Sequence, residues 1–129
     1  MVDPLEDLLV SSREVNRDLL ASVLRPYVRI DPATQEFIPT SEWTRLGQVH
    51  RIIAYLLTRK AMLALEIPLD KEAVPPRGIE AAIGMKGGTL RSLLRRLLQE
   101  GLVARDQAGD YCVPNYALEA AKARLASRG

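Results

Sequence analysis

Residues 76–115 read PRGIEAAIGMKGGTLRSLLRRLLQEGLVARDQAGDYCVPN, and the interpretation of this stretch decides the fold. Gly84 interrupts an apolar segment with the local pattern of a helix C-terminus, where glycine takes the left-handed conformation without steric cost. With Gly84 in the turn, Ile79, Ile83, Met85, Leu90 and Leu93 fall on the common face of two helices that cross steeply. The second helix is expected over residues 88–100, closed by Gly101. Thr89 either caps this helix or begins its first turn, and Gly87-Gly88 lets the backbone approach a neighbour closely. Leu102–Arg105 and Tyr111–Val113 then pair as a hairpin across Asp106–Asp110, with Gly109 supplying a positive φ. Cys112 reads as a small apolar strand residue.

Upstream, Asp3-Pro4-Leu5-Glu6 and Ser11-Ser12-Arg13-Glu14 are two helix-start signals eight residues apart. They predict either a short helix (4–10) followed by a longer one (12–25) or one helix with two serines midway. Leu5, Leu8, Leu9, Ser12, Asn16, Leu19, Leu20 and Val23 then share a stripe whose polar middle suits pairing with a second subunit. A break at Ser11 makes that stripe illusory, and both readings stand. Pro26 ends the helix. Tyr27–Ile30 and Glu36–Ile38 read as a hairpin around Asp31-Pro32-Ala33-Thr34. Thr40 or Ser41 caps a helix expected to reach about Glu66, with Leu46, Val49, Ile53, Leu56, Leu57, Leu63 and Ala64 in one stripe. Lys60 falls inside that stripe and must snorkel or meet a partner. His50 flanks it, as a packing or surface residue. The three prolines of residues 67–76 make a connector, and Tyr116–Ala126 is a last helix.

A chain of 129 residues is one domain with room for a core, and its Leu-, Ala- and Arg-rich, aromatic-poor composition belongs to a mainly α protein. Three parts are expected: a helical segment plus hairpin (1–43) suited to dimerisation, a core (44–115) and a C-terminal helix (116–129). One cysteine (Cys112) and one histidine (His50) leave no basis for a disulfide, a metal cluster or a Ser-His or Cys-His pair. Gly84–Thr89 lacks the order of a phosphate-binding P-loop, and the paired acids fall where capping or solvation explains them. Neither catalysis nor a cofactor nor a metal is expected. No signal peptide or 18-residue apolar span is read, so a cytoplasmic, nucleoid-associated location is expected and no membrane partner. Residues 1–44 carry four basic and eight acidic side chains (−4), and residues 45–129 carry fourteen and eight (+6), summing to +2. A basic body behind an acidic head suits one-sided contact with a polyanion.

The residues Gly84, Met85, Thr89, Leu90, Leu93 and Leu94 resemble the turn and second helix of the winged helix-turn-helix superfamily. Glu80 departs from it, standing where that superfamily usually has a small residue facing the second helix. The resemblance implies a winged helix-turn-helix core with extra N- and C-terminal helices and a short N-terminal β-hairpin. It also implies double-stranded DNA as partner, read by helix 88–100 and a wing over 102–113. Carried over by position, Lys86, Gly87, Gly88, Thr89, Arg91 and Ser92 lie nearest bases and phosphates. Arg95 and Arg96 lie toward the backbone, and Arg105 and Gln107 near the wing tip. The helical wheel independently puts Arg91, Ser92, Arg95, Arg96 and Gln99 opposite the leucines. Such a protein is expected to regulate transcription, or to serve as a plasmid- or phage-type DNA-binding factor, as a homodimer. The alternative is a winged-helix adaptor that docks on an acidic protein partner, since the fold alone does not imply DNA binding. The scarcity of aromatic platforms argues against single-stranded RNA.

Overall fold

The computed structural model describes residues 4–5 and 16–127. Helix α1 (Arg17–Leu24) leads into the antiparallel pair β1 (Val28–Asp31) and β2 (Glu36–Pro39), in the register Val28↔Pro39 to Asp31↔Glu36. Asn16 precedes α1 as its N-cap, its side chain accepting from Leu19 N at 3.0 Å. It is therefore not a mid-helix polar position, because its amide oxygen satisfies a first-turn N–H. The remaining N-terminal part of the proposed stripe lies outside the described residues, apart from the exposed Leu5.

A 3-10 turn (Ser41–Arg45) separates β2 from α2 (Gln48–Ala64). Thr40 caps that turn, Oγ1 accepting from Glu42 N at 3.2 Å. The long helix expected from about residue 41 to Glu66 is thus split, with the extended Leu46 and Gly47 between its parts. It also ends early: Ile67 N returns to Met62 O at 3.0 Å while Glu66 adopts a φ of 61°. α2 is buried on nearly every side rather than along one stripe, since α1, α3, α5 and β4 all pack on it. Leu63, expected in the stripe, is exposed. Lys60 is buried at 4% exposure and meets partners instead of snorkelling. Its Nζ lies 2.6 Å from Asn115 Oδ1 and 2.8 Å from Glu72 Oε2. Glu72 Oε2 has no hydrogen bond to any other group among the described residues, so the Lys60 ammonium is its partner.

The connector does more than connect. Val74 N and O exchange hydrogen bonds of 2.9 and 2.8 Å with Tyr111, an antiparallel bridge. The two prolines that follow hide a residue that pairs, because Val74 itself keeps its N–H and can donate. Helix α3 (Pro76–Ile83) follows and ends at Gly84, whose φ of 68° is the left-handed cap. Helix α4 (Gly87–Gln99) then runs into β3 (Ala104–Arg105) and β4 (Tyr111–Cys112), paired Ala104↔Cys112 and Arg105↔Tyr111. Gly109, at a φ of 88°, closes their loop. A second 3-10 turn (Asn115–Ala117) and α5 (Leu118–Ala126) complete a mainly helical protein with two small antiparallel two-stranded sheets.

One cluster of buried side chains runs from Leu20 and Val28 through α2 to Leu90, Leu94, Leu97, Val113 and Leu125. Each fully buried leucine contributes about 1.5–3 kcal/mol relative to an exposed one. Phe37 fastens the β1–β2 hairpin to this core, its ring 5.5 Å from Trp43 and 5.4 Å from Tyr55.

Candidate nucleic-acid interface

The 3.6-residue period of α4 divides it sharply. Leu90, Leu94 and Leu97 are fully buried, while Arg91, Ser92, Arg95, Arg96 and Gln99 are exposed. Leu98, read as part of the apolar side, is 37% exposed, at the edge of the buried face. Arg91 and Arg95 enter no ion pair among the described residues. Arg96 lies 4.0 Å from Glu100, whose other oxygen is held at 2.7 Å by Arg124 of α5. The outer face therefore keeps its positive charge.

The start of α4 lies one residue earlier than expected, at Gly87. Gly87 and Gly88 thus belong to the first turn, and Thr89 lies within it rather than capping. Lys86 is the N-cap by position, but its side chain caps nothing and no acid stands in the first turn. Lys86, Gly88 and Thr89 are exposed, and a Cβ on Gly88 would meet nothing within 4 Å. Gly87 is different. A Cβ there would lie 2.8 Å from Glu80 Oε1. The Glu80 carboxylate, the movable end of its side chain, lies in the space a Cβ at Gly87 would take, so α3 reaches the start of α4 here. It also sets a negative charge near the positive end of the α4 dipole.

The β3–β4 hairpin is built differently from its sequence expectation. Arg105 and Gln107 are exposed as expected. The Arg105 guanidinium, however, folds back over the Tyr111 ring at 5.9 Å and packs against Gly109. Asp106 Oδ1 accepts from the amides of Ala108 and Asp110, both at 2.9 Å, which shapes the loop. Lys71, from the connector, binds Asp106 and Asp110 at 2.7 Å each. The Lys71 ammonium, assisted by the Asp110 backbone amide, holds the Asp106 carboxyl below the ordinary carboxylate range. The two aspartates push Lys71 up in turn. Lys71 carried no functional reading in the sequence because its partners lie 35 or more residues away.

No family model matches the chain, and no curated protein or solved structure shows significant similarity to it.

Among the described residues no group of three His, Cys, Asp or Glu is placed to hold a metal, and no helix is long and apolar enough to cross a membrane. Burial, reinforced by the nearby Glu72 charge, pushes the Cys112 thiol up, so it stays protonated at neutral pH.

Proposed function

We propose that residues from α2 to β4 form a winged helix-turn-helix unit that binds duplex DNA. In this reading α4 is the recognition helix and the β3–β4 hairpin is the wing. The order of elements supports it: α2, a bridging strand residue at Val74, α3, a glycine turn, α4 and a hairpin. The observation that carries the DNA reading is the outward face of α4. It presents three exposed arginines on a helix whose opposite face is locked into the core. Arginine donates paired N–H groups to phosphate oxygens and to the O6 and N7 of guanine. Lys86, Gly88 and Thr89 at the helix start are the residues nearest the backbone of an approaching duplex. The wing grips weakly, because its aspartates engage Lys71 and Arg105 is turned onto Tyr111. In this reading the protein is a sequence-tolerant DNA-binding factor, acting as a dimer, with a regulatory rather than catalytic role.

Fluorescence anisotropy with a mixed-sequence duplex at two salt concentrations tests this. Affinity should fall steeply with salt, at a log–log slope of about −0.9 per phosphate neutralised. Arg91→Ala with Arg95→Ala should flatten that slope by about two phosphate contacts. Unchanged binding in the double variant would move the interface elsewhere. The neutralised wing favours a second reading, an adaptor whose basic helix docks on an acidic protein. Absence of DNA binding at low salt, with a stoichiometric protein complex lost in the same double variant, would select it.

A further inference from the structure

Residues 76–99 carry five basic side chains, Arg77, Lys86, Arg91, Arg95 and Arg96, and a single acid, Glu80. Glu80 is half-buried on α3, and its side chain makes no hydrogen bond and no ion pair among the described residues. Neither carboxylate oxygen is sealed from solvent. The carboxylate reaches the start of α4, where its Oε1, Cδ and Oε2 lie 2.8, 3.1 and 3.2 Å from the place of a Cβ on Gly87. Gly87 shares a helix face with the exposed Arg91, one turn along, and is followed by the exposed Gly88 and Thr89. An unneutralised negative charge therefore stands at the edge of the basic face.

Stabilising α4 through its dipole does not require this placement, because an acid within the first turn of α4 would serve equally. That turn contains none. Carried on α3, the charge acts on whatever α4 meets. A carboxylate is acceptor-only. It repels phosphate oxygens, which offer no donor, and it accepts from an amino group such as cytosine N4 on the major-groove edge. The arginines attract every polyanion alike, whereas Glu80 penalises one kind of contact and rewards the other.

We infer, on the basis of the DNA-binding role proposed above, that Glu80 is a selectivity residue of the α4 face. Its carboxylate weakens attachment to bare phosphate and accepts a hydrogen bond from a base amino group. The face thereby prefers the open major groove of a duplex to a polyanion without bases.

The test is a competition assay on the full chain at constant ionic strength, followed by fluorescence anisotropy of a labelled mixed-sequence duplex. The competitors are the unlabelled duplex and inorganic polyphosphate, which carries the phosphates and no base. Glu80→Gln keeps the side-chain size and removes the charge. Its affinity for polyphosphate should rise about threefold or more, and its affinity for duplex should rise less or fall. The ratio of the two affinities then drops. Glu80→Asp keeps the charge and should keep polyphosphate out. An unchanged ratio in Glu80→Gln, whether both affinities rise together or neither moves, overturns the inference and leaves the DNA-binding role standing. Polyphosphate binding as tight in Glu80→Asp as in Glu80→Gln overturns charge as the cause. A wild-type chain that binds no duplex overturns the DNA-binding role and the role of Glu80 with it.

Discussion

Lys60 is the residue whose environment departs most from the usual rule that lysines face water. Its ammonium is buried between α2, the connector at Glu72 and the turn at Asn115, so one side chain joins three stretches of chain distant in sequence. Removing it strands a carboxylate, because Glu72 Oε2 has no hydrogen bond among the described residues to fall back on. Lys60→Met is expected to cost about 3 kcal/mol in urea unfolding, the low end of the range for a broken buried pair, since Glu72 retains 18% exposure. Combining it with Glu72→Leu should recover most of that loss, because a well-packed apolar pair replaces a desolvated ionic one at little net cost. A double variant as unstable as Lys60→Met would show that packing around the lysine stem, not charge, dominates. The helical period exposed the conflict at Lys60 in advance, but no local pattern names a partner twelve or fifty-five residues away.

At the level of elements, the β3–β4 hairpin has only two paired residues in each strand and is held by side chains as much as by its ladder. Asp106 is held below the ordinary carboxylate value of 3.8, so its contribution is present at neutral pH and is lost as pH falls through that lowered value. Lys71 is held above 10.5, so its contribution is complete below 10.5 and is lost only as pH rises through the raised value. The hairpin lock is therefore constant from about pH 5 to about pH 10. Lys71→Ala should move the Asp106 carboxyl titration upward, followed by carboxyl ¹³C shifts. The amides of Ala108 and Asp110 retain part of the depression. An unmoved titration would remove Lys71 from the lock. Elements set by local chemistry were legible in the sequence: the Gly84 turn, the α4 leucine face, the Gly109 loop and the β1–β2 hairpin all follow from turn residues and periodicity. The Val74 bridge and the approach of Glu80 to Gly87 were not, because each depends on a contact outside its own segment, and the break at Leu46–Gly47 was hidden by the apolar stripe that runs across it. Of the site residues, the exposed α4 arginines follow from the helical wheel. The diversion of Arg105 onto Tyr111 does not.

For the whole molecule, the central position of α2 decides how the protein unfolds. α1, α3, α5 and β4 all pack against it, and one buried cluster extends from Leu20 near the N-terminal side to Leu125 in α5. No group of elements has a core of its own to fall back on when α2 melts, so the division into N-terminal, central and C-terminal parts should be absent from the energetics. Trp43, the only tryptophan, reports on the hairpin side through its contact with Phe37. Far-UV circular dichroism reports on all helices together. The two probes should give coincident urea transitions. Leu56, fully buried in α2, provides the stronger test. Leu56→Ala should cost about 2–5 kcal/mol through lost burial and the cavity left behind, and should shift both transitions by the same amount. A Trp43 transition that precedes the helical one, or that stays in place when Leu56→Ala moves the other, would mean that residues up to about 43 unfold on their own.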